Sequence, residues 1–284
     1  MKKPITCKLK TTMTKKSKLS KETGISILKG LIGTIPYAGT ALNEILFENR
    51  SRIKQRRVNS FIENFSKYLK QFNKEELKLE QITNEDFGDF FEEIILKVSK
   101  TRSQIKVEKI KNLLTNQLIK PIDINYAELF LDILSSLQEK QIPILLKLYD
   151  SFDSIYTSSK GELVQKEDEL QITRKELKKE EWNLNSEEDA IFVNEISILR
   201  EKIKKLKSEI KKLNKIIQEN EEPYLPKTYN CEGYEFYYLI QDLVGKGLLV
   251  DLGMRYRAEP LELFEITQLG IDMIDSLKEN KANS

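Results

Sequence analysis

Apolar residues return at three- and four-residue steps along most of this chain, a period that predicts helix after helix. Phe61, Ile62, Phe65, Tyr68, Leu69 and Phe72 form one such stripe over residues 58–72. Phe87, Phe90, Phe91, Ile94 and Ile95 form another over 86–98, and helices are also expected over 103–119 and 125–148. The break Lys120-Pro121-Ile122-Asp123 leads to Asn125, the expected N-cap of the helix that carries Leu129, Ile133, Leu134 and Leu137. Together these segments predict one helical domain over residues 23–157.

The period then changes to seven. Ile196, Ile203, Ile210 and Ile217 occupy one heptad position, and Leu199, Leu206 and Leu213 the next. Upstream, Leu163, Leu170, Leu177 and Leu184 also recur every seven residues, and the polar stretch 183–189 can turn the chain. The spacing predicts an antiparallel coiled-coil hairpin over 158–222, projecting from the rest and suited to a protein partner or to self-association. Charge solvates most of its surface. Residues 198–215 are locally basic, with Arg200, Lys202, Lys204, Lys205, Lys207, Lys211, Lys212 and Lys215 against Glu201 and Glu209.

Pro223 and Pro226 end the heptads. An apolar-periodic helix over 234–245 follows, then Gly245-Lys246-Gly247, a β-like Leu248-Leu249-Val250, a turn with Gly253, and a second β-like run, Leu263-Phe264-Glu265-Ile266. Thr267 then opens a last helix through Leu277. LVGKGLL followed by FEITQLGIDMI resembles the end of a winged-helix domain, in which a helix leads into a two-stranded wing and a Thr-x-x-Gly step opens the next helix. The resemblance implies a small winged-helix-like domain over 223–284, a fold that serves protein docking as well as DNA binding. Residues 223–284 carry more acids than bases, which argues against DNA because phosphate contacts supply much of its affinity. Arg255 and Arg257 on the wing are the exceptions.

The chain's beginning has a different chemistry. Residues 1–22 hold eight lysines against Glu22 and are expected to form a disordered basic arm. Residues 23–42 carry one charge, Lys29, and Ile25, Ile27, Leu28, Leu31, Ile32 and Ile35 fall on one arc of a helical wheel. Pro36 and Gly39 interrupt that helix, and a second amphipathic run over 38–47 completes an expected αα-hairpin. Arg50, Arg52, Lys54, Arg56 and Arg57 follow directly. An apolar arc of Ile25, Leu28, Leu31, Ile32 and Ile35 beside those five cations is the pattern of a membrane-surface anchor, with the cations at anionic headgroups. The stretch GLIGTIPYAG is similar to uncharacterised bacterial helical proteins of phage defence and to membrane-acting effectors, which implies an effector role as the alternative.

Composition narrows the chemistry further. The 284 residues contain no histidine, which removes the usual general base of nucleophilic triads and the commonest ligand of zinc and haem. Cys7 and Cys231 supply neither a disulfide framework nor a metal knuckle, and no phosphate-binding glycine loop occurs. The 47 basic and 45 acidic residues leave a net charge of +2, so any electrostatic role is local. These features imply a predominantly all-α, non-enzymatic interaction protein without a cofactor. It is expected in the cytoplasm, peripherally at a membrane if residues 24–57 act there, with a DNA-binding regulator as a further alternative.

Overall fold

The computed structural model describes residues 52–73, 76–78, 85–151, 155–184, 190–253 and 259–280. Nine α-helices and one two-stranded sheet lie among them, so the fold is predominantly α, as the periodicity implies. The chain divides into two units: residues up to Glu139 with those from Met273 onward, and Lys140–Asp272. The limits expected at 157/158 and 222/223 follow changes in composition, whereas the division follows packing, and packing joins segments far apart in sequence.

In the first unit, α1 (Arg52–Leu69), α2 (Glu85–Lys100), α3 (Gln104–Ile119) and α4 (Ile124–Ser136) share one core. Val58, Phe61 and Phe65 of α1 and Phe90, Ile94 and Val98 of α2 are buried there with Leu113, Leu114 and Leu118 of α3. Burying each such side chain contributes roughly 1.5 to 3 kcal/mol. Glu85 and Asp86 open α2, and Lys97 and Lys100 close it, charges placed to favour the helix dipole. Ser103 caps α3 by accepting from the Lys106 amide. At the other end of the chain, Asn112 and Asn116 of α3 donate to the carbonyls of Leu277 and Ser276 at 3.0 and 2.6 Å, satisfying acceptors that a helix C-terminus leaves open.

Two expectations about α4 need correction. Its N-cap is Asp123, whose Oδ1 accepts from the Asn125 amide at 2.9 Å, so Asn125 is a donor inside the first turn. The helix expected over 125–148 is two helices, because α4 stops at Ser136 and α5 (Gln141–Asp150) starts afresh. Pro143 explains the break. It lies in the first turn of α5, where its missing N–H costs nothing, and could not sit in the interior of one continuous helix.

The second unit begins with α5 and then sends out two long helices, α6 (Ile155–Leu184) and α7 (Ala190–Asn220), which pack side by side and antiparallel. Two short 3₁₀ turns, Glu222–Tyr224 and Pro226–Tyr229, lead to α8 (Gly233–Gly245), then β1 (Leu249–Asp251), β2 (Phe264–Ile266) and α9 (Gln268–Leu277). The strands pair antiparallel, Leu249 opposite Ile266 and Asp251 opposite Phe264. Helix α8 ends where the Leu248 amide reaches Leu243 O and the Gly247 amide reaches Val244 O. Gly247 has φ +74°, a value this C-terminal motif requires and glycine adopts without strain. Thr267 then accepts from the Gly270 amide at 3.1 Å and donates to Gly247 O at 2.6 Å. A Cβ on Gly270 would lie 2.5 Å from Leu248 O, so the strand and the helix start meet backbone to backbone.

Candidate interaction surfaces

Helix α5 is the part of the second unit that sequence periodicity did not assign to it. Gln141, fully buried, donates through Nε2 to Leu239 O at 3.1 Å and to Asp242 Oδ2 at 2.8 Å. Lys140 meets Glu235 at 2.8 Å and Lys147 meets Glu222 at 2.6 Å. With Ile142, Ile144, Leu145 and Leu148 also buried, α5 forms a wall of the core beneath α8 and β2. Partial burial pushes the Asp242 carboxyl up, but hydrogen bonds from Lys246 and Gln141 outweigh that and hold it below the usual carboxylate range.

The α6–α7 pair is fastened at its feet by aromatic stacking. Tyr156, in the first turn of α6, stacks on Tyr224, just beyond α7, with ring centroids 4.0 Å apart and planes 13° from parallel. Tyr224 in turn meets Phe264 of β2, and Phe264 meets Phe236 of α8. Thr157 donates to Glu265 of β2. Burial pushes the Tyr156 hydroxyl up to about 12, so the ring stays neutral across the physiological range.

The two helices pack against each other along one seam. Ile196, Leu206, Leu213 and Ile217 are buried, and Leu199, Ile203 and Ile210 are half-buried. On α6, Leu163 and Leu170 are buried and Leu177 half-buried. The second seam position of α6 carries Ser159, Lys166, Thr173 and Glu180, which sequence reasoning passed over. Ser159 and Thr173 are buried there, Thr173 donating to Glu169 O of its own helix. Lys166 reaches Glu209 of α7 at 3.0 Å and Lys202 reaches Glu169 at 3.2 Å. A hydrogen bond from Lys166, strengthened by the nearby charges of Lys205 and Lys212, holds the Glu209 carboxyl below its ordinary range despite some desolvation.

Among the described helices, only α8 exposes three tyrosines on its outward face. Phe236, Leu239, Ile240 and Leu243 point inward, while Tyr234, Tyr237 and Tyr238 are 80, 47 and 59 % exposed. Steps of three and four place the three phenols on one side of the helix. The signal was legible, since a helix whose apolar arc is already complete at four residues has no core position left for three tyrosines.

The expected cationic cluster is divided by the structure. Arg52, Lys54 and Arg56 are exposed in the first turns of α1, and the first turn contains no acid. Arg57 has another task, donating through Nη1 to Ser99 O at 3.2 Å and so closing the end of α2. Arg50, the apolar arc of Ile25, Leu28, Leu31, Ile32 and Ile35, and the wing residues Arg255 and Arg257 lie outside the described residues. Among the described residues no helix is long and apolar enough to cross a membrane, and no group of acidic and cysteine side chains converges as a metal site would. No family model matches this chain, and no curated protein or solved structure matches it either.

Proposed function

We propose that this chain is a non-enzymatic interaction protein, an adaptor or regulatory subunit of the cytosol, which docks a protein partner on the outward face of α8. The observation that carries the reading is the trio Tyr234, Tyr237 and Tyr238, exposed together on one helix. Tyrosine is enriched at interface hot spots because a rigid ring supplies contact area at little entropic cost while its hydroxyl keeps a hydrogen bond. The order of α8, β1, β2 and the Thr-x-x-Gly start of α9 is that of a winged-helix-like module, and the paired α6 and α7 are its coiled-coil hairpin, inserted between α5 and α8. A surface that reads DNA is normally cationic. Helix α8 has two acids, Glu235 and Asp242, and no base, which favours a protein partner over a nucleic acid at this face.

Replacing Tyr234, Tyr237 and Tyr238 together with serine tests the reading. The variant should keep the wild-type melting curve and lose the protein that co-purifies stoichiometrically with the wild type. Retention of that protein by the folded variant would contradict it.

A second reading, a membrane-acting effector using residues 24–57, is favoured by the exposure of Arg52, Lys54 and Arg56 at the start of α1, whose first turn has no acid. Co-sedimentation with anionic vesicles, lost on changing Arg52 and Arg56 to glutamine at low salt, would support it.

A further inference from the structure

We infer that one flank of the α6–α7 hairpin binds the phosphodiester backbone of a nucleic acid. The charges of α7 are sorted between its two flanks. Arg200, Lys204, Lys207, Lys211 and Lys215 follow one another at steps of three or four residues and are all exposed. At a rise of about 1.5 Å per residue they form a straight line about 22 Å long. Arg200 meets Glu181 of α6 at 2.9 Å, which fixes that line to the Glu181 side of the pair. Arg174, one heptad before Glu181, and Lys178, one turn before it, add two cations on the α6 side, interspersed with Glu167 and Glu181. The acids that α7 shares with its partner lie on the opposite flank, where Lys166 meets Glu209 and Lys202 meets Glu169. At the far end of the line Lys215 meets Glu219 at 3.7 Å, whereas Lys204, Lys207 and Lys211 between them have no ion pair among the described residues.

This arrangement is unfavourable in the isolated chain. Successive cations at three- and four-residue steps repel one another, and an ordinary solvated helix intersperses acids to relieve them. An external row of negative charges does the same work. B-form DNA presents one phosphate per about 3.4 Å of each strand, so a 22 Å line of cations can lie along one strand and displace several counterions. Toward the hairpin tip the line runs into a groove of about 790 Å³, where Arg200 and Lys204 stand beside Ser197, Val193 and Ile196, with the carboxylates Glu181 and Glu201 also in its wall. That wall offers a hydroxyl and apolar surface next to the cations, partners for a sugar and a base beside their phosphate. A lipid surface fits less well. The apolar seam of α7 is turned onto α6, and no large apolar side chain is exposed on α7 between Arg200 and Lys215, so nothing there can insert among acyl chains.

The test compares two charge-matched variants of the full chain, Lys207→Gln/Lys211→Gln on the line and Lys205→Gln/Lys212→Gln on the Glu209 flank. Glutamine preserves helix propensity, and far-ultraviolet dichroism should be the same for both. Binding to a labelled random-sequence 20-base-pair duplex is measured from 50 to 300 mM salt, with quenching of Trp182, the chain's only tryptophan and 76 % exposed, as a second readout. Every phosphate that a lysine neutralises contributes about 0.9 to the slope of log affinity against log salt, so the on-line pair should lower its magnitude by about 1.8 and the off-line pair should leave it unchanged. Reading a difference removes the contribution of the eight lysines of residues 1–22, common to both variants. An equal fall in slope for the two variants, no fall in either, no binding by the wild type, or line-dependent binding to phosphatidylserine vesicles without binding to the duplex would each overturn the inference.

Discussion

Helices α6 and α7 have nearly the same length, 30 and 31 residues, and share one seam, yet only α7 has an apolar residue at both seam positions from Ile196 to Ile217. Its isoleucines and leucines alternate from Ile196 to Ile217. Helix α6 supplies leucine at one position and Ser159, Lys166, Thr173 and Glu180 at the other. The same packed pair therefore joins a helix whose sequence specifies its burial to one that is placed by its partner and by its foot at Tyr156. A strong stripe needs only one side of a seam to be continuous. The opposite side can carry polar residues that fix register through bonds such as Lys166 to Glu209.

The largest effect should come from breaking the strong side. Leu206 is buried at the middle of the α7 seam, and Leu206→Glu should cost about 3 to 4 kcal/mol, seen as a lowered or split melting transition. An unchanged melt would mean that the seam is not what holds α6.

The foot of α6 comes next. Burial raises the Tyr156 hydroxyl from 10.0 to about 12, so the folded chain favours the neutral phenol. That contribution is complete below pH 10 and disappears as pH rises from 10 to 12, at most about 2.7 kcal/mol. Tyr68 in the first unit, raised to about 12 chiefly by burial, titrates in the same window. Urea unfolding at pH 8, 10 and 11 should therefore show a shallower alkaline decline in Tyr156→Phe than in wild type, and parallel curves would mean that Tyr156 contributes nothing to it.

The weak side should respond with the opposite sign. Thr173 is fully buried, and its hydroxyl serves only a carbonyl of its own helix. Thr173→Val should leave stability unchanged or raise it by about 0.5 to 1 kcal/mol, since no buried partner is orphaned. A clear drop in thermal stability would show that the hydroxyl is required at the seam. Lys166→Gln should be smallest, below about 1 kcal/mol and fading with added salt, because the pair with Glu209 is partly exposed. A penalty of several kcal/mol would make that ion pair a principal support.

Much of this architecture could be read from the chain because the informative residues are local. The stripes of α1 and α2, the helix over 103–119 and the seven-residue spacing of Ile196 to Ile217 are visible within windows of about twenty residues. The Gly245-Lys246-Gly247 stop and the Thr267 to Gly270 step were equally legible, since turn chemistry is carried by single residues. What escaped was long-range. Gln141 joins α8 about a hundred residues later, and no pattern near Gln141 announces it. Pro143 did announce the start of α5, but the continuous apolar run around it suggested one helix. Arg57 looked like one member of a cationic cluster, and only the position of Ser99 shows that it closes another helix.

Photo-crosslinking tests the central claim, that the tyrosine face of α8 docks a protein, most directly. A photoreactive phenylalanine placed at Tyr238, and in a parallel protein at exposed Lys215, is irradiated in the native host. One discrete adduct is expected from Tyr238, identified as a single protein, and none of that mass from Lys215. No adduct at Tyr238, or the same adducts from both positions, would contradict the claim.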